Sequence, residues 1–157
     1  MSAALITASL LSAGGLVWTF ALGYATGTSS EVLRHTTLAI FFTLITLLVH
    51  SMTIFYLIGK VRAIRDAVIE GELVTDALSR VSALRGRVFK SATVAMGLTM
   101  VTAILGGGVD TGAIPAGVHA TLAVLAVVSN FVVLRAVIEV LTESSRIVAE
   151  VNRKLGV

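Results

Sequence analysis

Four stretches of the chain carry no charged residue: 1–30, 36–59, 91–109 and 111–134. Within them apolar residues run continuously, as from Leu38 to Val49, instead of alternating with polar ones. Strands of a membrane barrel would alternate in blocks of about ten residues, so uninterrupted runs of this length predict helices. A hydrocarbon core about 30 Å thick is crossed by about 20 helical residues. The pattern predicts spans at 4–24, 36–58, 89–108 and 116–138.

Helical spacing continues past two of these spans. After Tyr56, Val61, Ile64 or Ala67 and Val68 fall on one side, which extends the second helix to about Ile69, where Gly71 ends it. In the fourth, Val137, Leu141, Ser145 or Val148 and Val151 carry the helix to about Leu155. A shorter amphipathic helix, Val74 to Leu84, leads into the third span. The 59–88 loop and the 139–157 tail therefore build a small helical cap. The expected fold is all-α: one integral membrane domain over 1–157, a polytopic four-transmembrane-helix bundle with cytoplasmic helical extensions.

Composition agrees. With 56% hydrophobic and 13% charged residues and a mean hydropathy of +0.97, the chain cannot bury its apolar surface as a soluble domain. It has no cysteine, which excludes disulfides, thiolate metal sites, iron–sulfur clusters and covalently attached c-type haem. Of the 12 Lys and Arg, Lys60, Arg62, Arg65, Arg80, Arg85, Arg87 and Lys90 lie between the second and third spans. Arg135, Arg146, Arg153 and Lys154 lie at or after the end of the fourth, and Arg34 stands alone at the opposite side. Positive charge stays inside, so both termini and the 59–88 loop are expected in the cytoplasm of a cell with a bacterial-type inner membrane. Met1 to Ala4 lacks the positive charge of a secretion signal, and the first span is read as retained. The basic residues are interleaved with Asp66, Glu70, Glu72 and Asp76, a pattern suited to the lipid bilayer surface and not to nucleic acid.

Two segments begin alike, His35-Thr-Thr-Leu-Ala-Ile and His119-Ala-Thr-Leu-Ala-Val. The offset of 84 also aligns Gly23 with Gly107 and Thr46 with Asn130. This points to a 2+2 parallel internal repeat related by an axis along the membrane normal, with His35 and His119 at equal depth. His35, Ala39, Thr43, Thr46, His50 and Thr53 share one face of the second helix, and His119, Ala123, Ala126 and Asn130 share one face of the fourth. Polar faces in a span turn inward. The first helix adds a small-residue stripe of Ala4, Ala8, Ser12, Gly15, Thr19 and Gly23.

The three histidines are the candidate chemistry. Imidazole ligates haem iron and other transition metals, and His35, His119 and His50 are the candidate cofactor residues for haem b. His50 lies about 22 Å along the helix from His35, where Met96 could join it or Asn130, Thr7 or Ser9 could bond to it. A bare transition metal would draw on His35, His119, Glu31 and Asp110 near the outer end. Gly106, Gly107, Gly108 and Gly117 either make room for a macrocycle or mark the end of the third helix before Pro115 opens the fourth. No nucleotide loop, nucleophile elbow or zinc-protease motif is present, so a stand-alone enzyme is not the expectation. The leading expectation is electron transfer through a histidine-held haem or metal. Two others stay open: a structural or assembly subunit, alone as a homo-oligomer or with partner membrane subunits, and a small transporter or channel.

Overall fold

A computed structural model of the chain describes residues 1–156. Its helices are α1 (Ser2–Gly23), α2 (Ser29–Glu70), α3 (Ala77–Asp110) and α4 (Ala116–Leu155), all four long and apolar enough to cross a membrane. They run up, down, up and down around a square. α1 and α3 each pack on both α2 and α4, the α2–α4 diagonal also closes, and the α1–α3 diagonal stays open.

Helix length divides the bundle into two storeys. α1 has 22 residues and α2 has 42, which at 1.5 Å per residue is roughly 33 Å against roughly 63 Å. The first turn of α1 meets α2 at Tyr56, where Ser2 Oγ and the Tyr56 hydroxyl are 3.1 Å apart. Beyond that level only α2, α3 and α4 continue. The end bearing the 24–28 and 111–115 turns is the histidine end, and the three-helix end is the basic end.

The predicted 59–88 loop is mostly helix, as the spacing after Tyr56 had implied. Only residues 71–76 connect α2 to α3. The separate helix expected from Val74 is instead the start of α3, because Ala77, Val81, Leu84, Val88, Ala92 and Ala95 form one unbroken buried stripe. Gly71 does follow the last residue of α2, but not by adopting a left-handed conformation. Glu72 takes that role with φ 48°, while a Cβ at Gly71 would run into the Leu155 side chain at the end of α4.

The cap is a packed unit. Leu57 and Ile64 of α2, Val81 and Leu84 of α3, and Leu141, Ile147 and Val151 of α4 belong to one buried cluster. On α4 the inner positions are Ser144 and Ile147, one residue before the Ser145 and Val148 read from the sequence. Where α1 stops, Lys60 bridges α2 to α4, donating to Ser144 Oγ at 3.1 Å and Ser145 Oγ at 3.0 Å. Arg80 ties α3 to α4 through Glu150 at 2.9 Å and Glu143 at 3.2 Å.

Arg80 holds the Glu150 carboxyl below its ordinary value of 4.5. A carboxylate lowered on folding adds stability that is present above its unfolded pKa and lost as the pH falls through the folded one. The melting temperature should therefore fall on acidification from about pH 5 to about pH 3, and Arg80→Ala should flatten part of that decline. An identical acid slope in both proteins would mean the ion pair does not couple to folding.

At the histidine end and mid-bundle, α1 and α2 approach closely. Gly15 lies directly under the Phe42 ring. One turn earlier, Ser12 Oγ donates to Thr46 Oγ1 at 2.7 Å, because the Thr46 hydroxyl proton already goes to the Phe42 carbonyl at 2.7 Å. The small-residue stripe is inward at Ser12, Gly15 and Thr19, while nearer the start of α1 Leu5 and Ser9 replace Ala4 and Ala8. Outward lie Leu44, Leu48, Phe55, Ile104, Val128 and Val132, all exposed. An apolar exterior this continuous is out of place in water.

Candidate functional site

Two helix starts position the two histidines. α2 opens with a capping box: Glu31 N–H donates to Thr28 Oγ1 at 3.4 Å, and Glu31 Oε2 accepts from Thr28 N at 2.8 Å, Gly27 N at 3.0 Å and Thr28 Oγ1 at 2.9 Å. The Thr28 hydroxyl, with these backbone donors, holds the Glu31 carboxyl below its usual range. His35 follows one turn later. α4 opens behind Pro115, whose φ of −62° suits a helix entry, and His119 follows four residues on.

The structure brings His35 and His119 together, their ring centroids 6.4 Å apart and their planes at 84°. Each ring leans on the preceding helix at a glycine. A Cβ at Gly23 would lie 3.1 Å from His35 Cε1, and one at Gly106 would lie 3.2 Å from His119 Cε1. His35 Nδ1–H donates to the Thr19 carbonyl of α1 at 3.1 Å. On the other side the Thr102 backbone of α3 approaches the His119 ring, yet the buried Nδ1 of His119 completes no hydrogen bond. The Thr19 bond fixes the proton of His35 on Nδ1 and leaves Nε2 with a lone pair. Among the described residues neither Nε2 has a hydrogen-bond partner.

Around the pair lies a cavity of about 480 Å³, walled by all four helices. That volume is within the range of about 300–1,000 Å³ common to small-molecule and cofactor sites. A chamber of about 60 Å³ continues inward past Thr43, Thr99 and Thr102.

Gly106, Gly107 and Gly108 sit inside α3, which continues to Asp110, and do not end it in an extended loop. Gly106 receives the His119 ring, and a Cβ at Gly108 would lie 2.7 Å from Ile114 Cδ1. Close packing therefore accounts for two of the three.

No known protein family, curated protein or solved structure matches the chain.

The other candidate residues have different settings. His50 is buried at 4% exposure, and its Nε2 lies 2.8 Å from Asn130 Oδ1. Asn130 Nδ2 donates to Thr99 Oγ1 at 2.9 Å and to the Ala126 carbonyl at 2.8 Å, which fixes the amide and makes His50 Nε2 the donor. His50 thus links α2, α4 and α3 in one polar layer, with its buried Nδ1 unpartnered. Asp110 lines the rim of the cavity, while the Glu31 carboxylate is occupied by its cap. Among the described residues no three His, Asp or Glu side chains converge closely enough to hold a metal ion.

Thr19 and Gly23 are read from the sequence only as part of the small-residue stripe and Gly106 only within the glycine run; their pairing around the rings, and Thr102, are not. Thr19 and Thr102, like Gly23 and Gly106, stand 83 apart, whereas the histidines stand 84 apart. Gly106 stands one residue further from His119 than Gly23 does from His35, although the 24–28 and 111–115 turns are equally long, so the 84 offset paired Gly23 with Gly107. A search of the first and third helices by themselves would have recovered the Thr-x-x-x-Gly pair.

Proposed function

We propose that this chain is a multi-pass membrane protein that holds b-type haem between His35 and His119 and serves in electron transfer. The observation that carries the reading is the adjacent imidazole pair, each Nε2 without a hydrogen-bond partner among the described residues. Two metal–nitrogen bonds of about 2 Å, with a ring radius at each end, give a centroid separation of roughly 6 Å, close to the observed 6.4 Å. Two donors are too few for a bare zinc-like ion, which takes four ligands. They would suffice for haem iron, which His35 and His119 would hold while the macrocycle supplies its remaining ligands. Bound haem would supply one-electron oxidation and reduction.

The chain's own residues do the positioning. The Thr19 carbonyl fixes the ring and tautomer of His35, as partners beyond the ligand shell do at metal sites generally. Gly23 and Gly106 let both rings lie flush against α1 and α3, and the apolar walls exclude water. The duplicated setting of Thr, Gly and His supports a 2+2 parallel repeat. By the distribution of Lys and Arg, the cap and both chain ends face the cytoplasm of a bacterial-type cell, and the histidine end faces outward.

Protein purified in detergent should show a Soret band. His35→Ala and His119→Ala should each abolish it, while His50→Ala should cost stability and leave the band largely in place. A wild-type protein with neither a Soret band nor stoichiometric metal overturns the reading. A structural-subunit role would then be favoured by Ile69 and Val74, apolar residues exposed beside the 71–76 turn.

Orientation has its own test in this cysteine-free chain. Single cysteines at Ser79 and Asn152, both exposed, should be protected from an impermeant thiol reagent in intact cells, and one at Ser29 should react. The reverse pattern would invert the topology.

A further inference from the structure

The cavity is lopsided in a way that the pairing of its walls makes visible. The register that matches Thr19 with Thr102 and Gly23 with Gly106 also matches Phe20 with Ala103 and Tyr24 with Gly107. All of Phe20, Tyr24, Ala103 and Gly107 line the cavity. At the end of α1, Phe20 and the C-cap residue Tyr24 pack edge to face, 5.3 Å between centroids at 80°. At the corresponding places on α3 there are a methyl group and a hydrogen, and a Cβ built on Gly107 would meet nothing within 4 Å.

We propose that Ala103 and Gly107 form the face that receives the flat ring system of the ligand, with Phe20 and Tyr24 as the fixed wall opposite. This rests on the haem reading above. A macrocycle bound to both imidazoles must extend sideways beyond them, and the α3 side is the one from which bulk has been removed. The face offers only C–H groups, so it selects for a planar apolar surface by shape and gives a hydrated anion nothing to bond. Ala103 and Gly107 are therefore specificity-determining residues, distinct in role from the axial histidines.

The test copies the α1 wall onto α3. The full-length A103F/G107Y variant, titrated with hemin in detergent, should bind at least ten-fold more weakly than the unmodified protein. Its thermal unfolding should be undiminished, since the new rings fill space. Gly97→Phe is the control: Gly97 is on the same helix, exposed, outside the cavity lining and without neighbours within 4 Å of a Cβ. It should bind hemin normally. If A103F/G107Y does not unfold cooperatively, Gly107→Leu alone carries the test, with the same direction of loss. A folded A103F/G107Y protein with unchanged affinity, alongside loss in His35→Ala, overturns this inference and leaves the histidine reading standing. Absence of hemin binding by the unmodified protein overturns both.

Discussion

Leu141→Asp is expected to abolish recovery of folded, monodisperse protein after detergent extraction, whereas Thr142→Asp, one residue away, should be recovered normally. Leu141 is 1% exposed, within the cap cluster, and Thr142 points outward. Removing the leucine forfeits apolar burial worth about 1.5–3 kcal/mol. The carboxyl then has either to remain charged in an apolar core or to stay protonated without a partner, which adds several kcal/mol by either route. Together these approach the whole stability of an ordinary domain, about 5–15 kcal/mol. Equal recovery and equal melting of the two variants would show that α4 does not pack in the cap as described.

The second large effect is expected from two adjacent glycines with opposite surroundings. Gly15→Leu would drive a side chain into the ring of Phe42, and Gly14→Leu would project one into open space. Overpacking a well-filled contact costs about 1–3 kcal/mol. Here the cost is larger, because forcing α1 from α2 also breaks the Ser12–Thr46 bond one turn away and leaves the buried Ser12 hydroxyl without its partner, while Thr46 keeps its bond to the Phe42 carbonyl. Gly15→Leu should lower the melting temperature markedly, and Gly14→Leu should leave it near that of the unmodified protein. Equal tolerance would mean that α1 packs on α2 by another face.

The parts of this molecule legible in its sequence are those governed by length and depth. An uncharged run of the right length can only be a helix if it is to satisfy its backbone in lipid. Two reversals of the chain return His119 to the level of His35. The inward faces of α2 and α4 at Thr46, His50, Thr53, Ala126 and Asn130 followed from helical spacing, and Asn130 was among the partners expected for His50. What was not legible depended on register and on local bulk. The one-residue difference between the Gly23–His35 and Gly106–His119 spacings hid the pairing of Gly23 with Gly106. Three consecutive glycines ordinarily disfavour a helix, yet α3 runs through them with His119 packed on Gly106 and Ile114 on Gly108. Glu31 stands one turn from His35, as a ligand would, but the same position is the third of the helix and closes a capping box, where the Gly27 and Thr28 N–H groups and the Thr28 hydroxyl bond its carboxylate.

The early end of α1 has a mechanical consequence. α2 and α4 each hold a cavity histidine near one end and enter the cap at the other, and neither contains a proline, since Pro115 precedes α4. They behave as two stiff rods. With α1 absent from the lower storey, Lys60 and the Ser144–Ser145 hydroxyls pin these rods to each other directly. That pin lies about 38 Å along α2 from His35. The His50–Asn130 bond joins the same two rods about 22 Å along α2 from His35, so they are fastened to each other at two levels, both on the cap side of the cavity histidines.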